Sequence, residues 1–261
     1  MKYFMDCEFL EGTQKNWLGK DSKSTIDLIS IGIVAEDGRE YYAISKDFNL
    51  KEAWNRFDLV KDGFRDCGLT PNYKKVYWIR ENVLKPIYEQ LLQLDGLTRW
   101  ESKKRIFNYD KFKFYINKYG KTNKQIAEEV KEFCLEVPRI QEHGNPQFYG
   151  YYCDYDWVVF CWLFGKMIDL PKGFSMYCID LKQELDAAVS QMKIRKYTRG
   201  TIKHNKLKEG VDYTNTLGRD NMDAALHYVK AMAGYPKQTN EHSAIHDARW
   251  NKQLYEFLNT L

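Results

Sequence analysis

The order of strand-forming and helix-forming segments is the feature that most constrains the fold of this chain. Residues 2–10, 26–34 and 40–45 are three runs rich in β-branched and aromatic side chains. Asp37 and Gly38 separate the second run from the third, and this dipeptide between strand-forming residues favours a tight hairpin. The N-terminal part of the chain therefore predicts an antiparallel meander of three strands.

Strands alternate with helices in the predicted second part of the chain. Apolar residues at helical spacing predict helices at 78–94 and 123–135. The remaining predicted elements are strand 147–153, helix 156–166, strand 175–179, and helices 180–192, 221–233 and 243–258. A meander followed by this alternation predicts a mixed sheet flanked by helices, in a single α/β domain over residues 1–261. Residues 57–121 add a helix but no core strand, which predicts an insertion into that domain.

The composition is that of a globular protein, with 44% hydrophobic and 29% charged residues. The longest apolar run, residues 157–164, is far shorter than the roughly 20 residues of a membrane span. Acidic residues near the N-terminus leave no apolar stretch typical of a signal peptide. The 6 cysteines lack metal-binding spacing, and we interpret them as reduced structural thiols. We therefore expect a cytoplasmic protein without a membrane partner.

Two basic segments favour nucleic acid as a partner. Residues 193–208 carry seven Lys or Arg and no acid, and Arg195, Lys196 and Arg199 are predicted to contact the substrate there. Residues 103–124 alternate eight Lys or Arg with six aromatic residues, a composition that suits a single strand. A surface helix with its rings buried would give the same pattern, so both interpretations of this second segment stay open.

Two carboxylates share one face of the first predicted strand. Asp6 and Glu8 lie two residues apart, and strand side chains alternate between faces. Their neighbours are apolar or aromatic, which predicts a central, buried strand. Two unpaired carboxylates there would cost several kcal/mol, a cost that a divalent cation offsets. An edge strand with both acids in water is the alternative.

Further acids and a histidine come at the ends of later elements. Asp154 and Asp156 follow the predicted strand 147–153, although an Asp before a helix is also a frequent N-cap. His242 precedes Asp247 by five residues where the last predicted helix begins. A histidine on a loop can reach a water molecule while an Asp on the following helix stays fixed on a metal ion.

This set of residues resembles the catalytic set of the DEDDh exonucleases of the ribonuclease T superfamily. The opening strand and residues 26–43 are similar to those of the small bacterial polyadenylate-specific 3'-exoribonuclease family. In that family the second-motif Asp follows an aromatic residue, which selects Asp156 over Asp154. The base lies five residues before the last Asp, which selects His242 over His246. The residues that carry the resemblance are Asp6, Glu8, Asp156, His242 and Asp247.

The resemblance implies a ribonuclease H-like fold and two bound Mg²⁺ or Mn²⁺ ions. It implies that Asp6 bridges both ions, that Glu8 and Asp247 hold the ion on the nucleophile side, and that Asp156 helps to hold the other. His242 would take the proton from the attacking water. The implied activity is a hydrolase that releases 5'-mononucleotides from the 3' end of single-stranded RNA or DNA.

The resemblance favours RNA over DNA and a homodimer over a monomer. Phe9, directly after the acid pair, would stack on the terminal base or pack in the core. The resemblance fails across residues 57–121 and 193–208, which leaves the substrate preference open. A single-stranded DNA exonuclease, a junction-cleaving nuclease on the same fold and a catalytically silent nucleic-acid-binding module are the alternatives.

Overall fold

A central sheet of five strands organises the protein. The structure is a computed structural model, and the residues it describes are 1–15, 18–65, 70–136, 144–191 and 219–261. The strands are β1 (Lys2–Lys15), β2 (Asp21–Ala35), β3 (Glu40–Ile44), β4 (Asp58–Arg65), β5 (Thr70–Val76), β6 (Gln147–Gly150) and β7 (Cys178–Asp180). The central sheet has the order β3-β2-β1-β6-β7, and β4 and β5 form a separate hairpin.

The pairing in the sheet is mixed, as predicted. β1, β2 and β3 pair antiparallel in chain order, which confirms the predicted meander. β6 pairs parallel with β1 and β7 pairs parallel with β6. β1 and β2 are longer than predicted because the polar residues beyond the core continue as a paired hairpin, in which Gly12 lies opposite Thr25. Backbone hydrogen bonds maintain this extension, so the alternation of apolar residues gives no signal for it.

Helices cover both faces of the sheet. They are α1 (Leu50–Asn55), α2 (Lys85–Leu94), α3 (Arg99–Lys104), α4 (Tyr109–Tyr119), α5 (Asn123–Cys134), α6 (Asp154–Phe164), α7 (Leu181–Gln191), α8 (Arg219–Lys230) and α9 (Ala244–Leu258). Single turns of π-helix (Arg80–Leu84) and 3₁₀-helix (Met167–Asp169) supplement them. None of the helices in the described ranges has both the length and the apolar character needed to cross a lipid bilayer.

Side chains of β1 alternate between two apolar cores. Tyr3, Met5 and Cys7 pack in one core with residues of α5 and α6. Phe4 packs on the opposite face with α7 and α9, and Leu10 packs there with α2 and α4. Because strand side chains alternate, Asp6 and Glu8 belong to the face of Phe4 and Leu10. The buried, central position predicted for this strand is therefore correct.

Three predicted boundaries were wrong by a few residues around β6 and β7. β6 ends at Gly150, not at 153, because the chain turns at Tyr152, whose φ of 54° leaves the extended region. α6 consequently begins at Asp154, two residues before the predicted start. The short strand predicted at 175–179 lies at Cys178–Asp180, where it pairs with β6.

The aromatic residues of the basic segment 103–124 mostly pack inward. Phe112 is fully buried, and Phe107, Tyr115 and Tyr119 contact the core that contains α2. Phe114 is exposed. The structure therefore favours a surface helix with buried rings over a row of rings available for stacking. The five cysteines in the described residues are free thiols, in agreement with the interpretation from the sequence.

Candidate functional site

Three carboxylates from opposite ends of the chain meet beside the central strand. Oxygen atoms of Asp6, Glu8 and Asp247 all lie within 4.8 Å of one another. Asp6 and Glu8 project from one face of β1, and Asp247 lies in the first turn of α9. The structure thus brings together three of the four predicted metal ligands. Carboxylate oxygens at such distances suit a hard divalent cation.

A glycine in the neighbouring strand allows α9 to approach the sheet this closely. Gly32 of β2 lies opposite Asp6. A Cβ atom at this position would lie 2.4 Å from the carbonyl oxygen of Ala244 and 2.5 Å from the Cα atom of Ile245. The side chain of Asn251, one turn beyond Asp247, donates a buried hydrogen bond of 2.9 Å to the Met5 carbonyl. These contacts fix the start of α9 beside the acid pair.

The fourth predicted ligand, Asp156, is held against the backbone of the same strand. Its Oδ1 accepts a hydrogen bond of 2.7 Å from the Cys7 amide. That amide is free for Asp156 because β6 pairs with β1 only from Lys2 to Phe4. Asp156 is buried, whereas Asp154 is exposed. The structure therefore places Asp156, and not Asp154, next to the acid pair.

Burial and neighbouring carboxylates destabilise the charged forms of Asp6, Glu8 and Asp156. Burial, followed by the negative charges of Asp156, Glu8 and Asp247, raises the pKa of Asp6 well above its usual range. Burial and the same kind of repulsion raise the pKa of Glu8 to about 8. Burial raises the pKa of Asp156 to about 7, against the hydrogen bond from Cys7. A bound divalent cation would relieve this repulsion, so the charges of the site fit a metal centre.

Asp247 is also positioned by the loop that precedes α9. The side-chain amide of Gln238 donates to its Oδ1 at 2.7 Å, and the Ser243 amide donates to its Oδ2 at 3.2 Å. Burial raises the pKa of Asp247, and these donors oppose that rise. Both carboxylate oxygens are therefore oriented by the chain itself.

His242 lies in this loop and packs against a residue of the 57–121 segment. Its φ is 64°, in the left-handed region that costs energy for a side chain other than glycine. Its ring meets that of Trp78 nearly edge-on, with the centroids 4.7 Å apart. The adjacent Ser243 hydroxyl accepts a hydrogen bond of 3.1 Å from the Gln90 side chain of α2. Trp78 and Gln90, both from the 57–121 segment, thus contact this loop.

His246 has a different environment from that of His242. Its Nδ1 lies 3.0 Å from the Ser243 hydroxyl, and burial, the largest effect, lowers its pKa. This contact gives His246 a structural partner within the loop and the first turn of α9.

The remaining predicted substrate contacts divide into two groups. Phe9 is partly buried, packs against the core of α5 and α6, and lies with its ring centroid 6.0 Å from that of Tyr155. Arg195, Lys196 and Arg199 lie outside the described residues.

Several residues that shape the site were missed at the level of sequence. Gly32 had a usable signal, because a lone glycine in an apolar strand often marks a close approach of another backbone. The sequence carries no signal for Trp78, Gln90 or Gln238, because each of them acts through contacts that exist only in the folded chain.

Comparison with known proteins adds two relatives. No protein-family model matches the chain. Two curated proteins named 3'-5' exoribonuclease, from the CDC 1551 and H37Rv strains of Mycobacterium tuberculosis, are similar to it. Each is 28% identical over 183 residues, which cover 70% of this chain and 73% of the relative.

Proposed function

We propose that this protein is a hydrolase that removes 5'-mononucleotides from the 3' end of single-stranded RNA. The observation that carries the proposal is the cluster of Asp6, Glu8 and Asp247, whose oxygens lie within 4.8 Å of one another. The similarity to two proteins named 3'-5' exoribonuclease supports the same reaction and the preference for RNA.

The donor set fits two Mg²⁺ or Mn²⁺ ions. Asp6, Glu8 and Asp247 would hold one ion, and Asp6 together with Asp156 would hold the other. All four residues offer only oxygen ligands, which these hard cations prefer over nitrogen and sulfur. When bound, such ions supply charge neutralisation at the phosphate, an activated water and support for the leaving oxygen.

The residues of the chain have separate tasks in this proposal. The hydrogen bonds from Gln238 and Ser243 hold Asp247 in place, and the hydrogen bond from Cys7 holds Asp156. The imidazole ring of His242 accepts the proton of the attacking water. Because His242 lies in a loop, its ring can approach the reacting phosphate. The contact of its ring with Trp78 orients it.

The finer assignments belong to the same proposal. Three antiparallel strands followed by two parallel ones support a ribonuclease H-like fold and membership of the DEDDh group. We also propose one domain over residues 1–261 with an insertion at about 57–121. The cytoplasmic location and the homodimer stay predictions.

A labelled-oligonucleotide assay tests the proposal. Single-stranded RNA and DNA carrying a 5' label are incubated with the protein in Mg²⁺, Mn²⁺ or EDTA. We expect a ladder that shortens from the 3' end, faster on RNA, and no ladder in EDTA or with Asp6→Asn or His242→Ala. Asp154→Asn is the matched control, because it removes an exposed acid two residues from Asp156 and should leave the rate unchanged.

Three outcomes would contradict the proposal. Release of the 5' label as a mononucleotide would show the opposite direction of attack. A ladder that survives Asp6→Asn would exclude the carboxylate cluster as the site. Retarded migration of the RNA without any shortening would favour the nucleic-acid-binding module.

A further inference from the structure

Ser243 joins the loop before α9 to the helix itself. Its carbonyl oxygen accepts hydrogen bonds from the His246 and Asp247 amides, at 2.8 and 3.0 Å. Its own amide donates to Oδ2 of Asp247 at 3.2 Å. The residue is only 5% exposed and directly follows His242 in the chain. A displacement of Ser243 would therefore displace a proposed metal ligand and the proposed base together.

The hydroxyl group of Ser243 contacts a helix of the 57–121 segment. The side-chain amide of Gln90, in α2, donates to Ser243 Oγ at 3.1 Å. The carbonyl oxygen of the same side chain accepts a hydrogen bond of 2.8 Å from the hydroxyl of Tyr42, in β3. Tyr42 packs against apolar residues of both α2 and α9. Since the oxygen of the Gln90 amide faces Tyr42, its nitrogen is left to face Ser243.

These three side chains connect parts of the protein that are distant in the sequence. Tyr42 and Gln90 are separated by 48 residues, and Gln90 and Ser243 by 153. Ser243 is buried, and Tyr42 and Gln90 are half-buried. A buried polar group that loses its partner costs free energy, so these hydrogen bonds favour one arrangement of the loop.

We propose that Gln90 is a positioning residue for the reaction and that Tyr42 orients it. Gln90 acts through Ser243, which holds Asp247 at the carboxylate cluster and fixes the backbone next to His242. The proposal rests on the proposed function, since it assigns Asp247 and His242 to the hydrolysis of RNA. The 57–121 segment, which the family resemblance does not cover, thus supports the candidate site through α2.

The same chain of hydrogen bonds assigns the ring proton of His246. A hydroxyl group has one proton and two lone pairs, and a neutral imidazole has one proton on one of its two nitrogens. Ser243 Oγ accepts from Gln90 and donates its own proton to Nδ1 of His246, 3.0 Å away. The ring proton of His246 is therefore on Nε2.

The rate of RNA shortening at saturating Mg²⁺ tests the role of Gln90. Gln90→Met keeps the length of the side chain and removes both hydrogen bonds. It should lower kcat about tenfold or more and leave KM for RNA unchanged, because Gln90 positions reacting groups and does not bind the substrate. Gln93→Met is the matched control. Gln93 lies in the same helix, is exposed, and donates only to the Glu89 carbonyl, so its loss should leave kcat unchanged.

A double-mutant cycle tests the role of Tyr42. Tyr42→Phe keeps the ring and removes the hydroxyl that donates to Gln90, so it should lower kcat. In a Gln90→Met background the same change should have no further effect, because the partner of the hydroxyl is already lost. A wild-type kcat for Tyr42→Phe, or losses that multiply in the double variant, would overturn the link from Tyr42 to the site.

Nuclear magnetic resonance tests the hydrogen bonds without any hydrolysis. A long-range proton–nitrogen spectrum at pH 8 in EDTA shows which ring nitrogen of a neutral histidine carries the proton, and His246→Asn assigns the signal. We expect the proton of His246 on Nε2 in the wild type and in Gln93→Met. In Gln90→Met, Ser243 Oγ becomes free to accept from Nδ1, so both ring forms should be present. A proton on Nδ1 in the wild type would overturn the chain of hydrogen bonds and with it the role of Gln90.

The two proposals fail in different ways. RNA shortening with the same kcat in Gln90→Met and the wild type would overturn the role of Gln90 and leave the nuclease. A loss of kcat no larger than the loss of folded protein, followed by thermal unfolding, would show a purely structural role and would also overturn it. The expected ring proton of His246 without RNA shortening by the wild type would support the hydrogen bonds and contradict the nuclease.

Discussion

Gln238, which is not one of the predicted catalytic residues, positions the side chain of Asp247. Its side-chain amide donates to Oδ1 of Asp247 at 2.7 Å. Loss of such a second partner typically costs 10–100-fold in metal affinity or activity. Gln238→Leu should therefore shift the Mg²⁺ dependence of RNA hydrolysis to about tenfold or higher concentrations. A titration of the initial rate with Mg²⁺ measures this shift, and an unchanged midpoint would contradict the role of Gln238.

Asp6 contributes unfavourably to the stability of the metal-free protein. Burial and three neighbouring carboxylates disfavour its charged form. Asp6→Asn removes this charge and keeps the shape of the side chain. We expect it to raise the free energy of unfolding in EDTA at pH 8 by about 1 kcal/mol or more while abolishing hydrolysis. Urea denaturation provides the measurement. A lower free energy of unfolding for Asp6→Asn would mean that the charge of Asp6 does not destabilise the metal-free protein.

The sequence reveals individual residues of the site unequally. Strand alternation alone predicts that Asp6 and Glu8 share one face, because both belong to one element. Asp156 and Asp247 needed the family resemblance, because Asp156 alone is equally typical of a helix N-cap and Asp247 with its preceding histidine is alone a weak signal. Gln238 and Trp78 could not be predicted, because their partners, Asp247 and His242, become their neighbours only in the folded chain.

At the level of elements, the approach of α9 to β2 depends on Gly32. A Cβ atom at Gly32 would lie 2.4 Å from backbone atoms of Ala244, and backbone cannot rotate away as a side chain can. Gly32→Ala should cost about 1–3 kcal/mol of stability and should displace Asp247 from Asp6, so that activity falls more than the folded fraction does.

Gly12→Ala is the control for this substitution. Gly12 lies in the same β1–β2 pair, but its nearest neighbour is a side-chain oxygen of Glu52 at 3.4 Å. Thermal unfolding and hydrolysis rates are measured for both variants. If Gly32→Ala changes activity no more than Gly12→Ala does, then the close approach of α9 is not what positions Asp247.

A cluster around Asp95 joins α4 to the end of α2. Tyr115 and Tyr119 donate to its carboxylate at 3.1 and 2.5 Å, and Lys118 forms an ion pair with it. The hydrogen bond from Lys118, and then that from Tyr119, lowers the pKa of Asp95 to about 2. The folded-state pKa is below its ordinary value of 3.8, so the stabilisation is present above about pH 4 and is lost as the pH falls towards 2.

Asp95→Asn should thus destabilise the protein at pH 7 and much less at pH 2.5. Urea unfolding of both proteins at the two pH values gives the difference. Asp62→Asn, which breaks an exposed ion pair with Lys74, should have little effect at either pH. A penalty for Asp95→Asn that is the same at pH 7 and pH 2.5 would contradict the ionic contribution.

Elements stabilised by apolar burial could be predicted from the sequence, whereas elements stabilised mainly by backbone pairing could not. The meander and α5 were predictable because apolar periodicity reports burial against the sheet. β4 and β5 were missed because they pair with each other outside the central sheet, with Leu59 and Tyr73 exposed. The extension of β1 to Lys15 was also missed, because backbone pairing with β2 stabilises this extension and apolar periodicity does not report such pairing.

For the whole molecule, a metal ion would connect segments that are distant in the chain. Its proposed ligands lie in β1, α6 and α9. Binding to the folded state alone adds about 2.7 kcal/mol at a concentration 100 times the dissociation constant. We expect Mn²⁺ or Mg²⁺ to raise the thermal midpoint of the wild type. Asp6→Asn should show a much smaller increase, and equal increases in the two proteins would place the ion elsewhere.

The separation of these acids along the chain has a consequence for biosynthesis. Asp6 is synthesised first, Asp156 later and Asp247 last of the three. A nascent chain therefore carries an incomplete set of carboxylates until α9 has emerged and docked over Gly32. The proposed activity therefore arises only once α9 has been synthesised and has docked on the sheet.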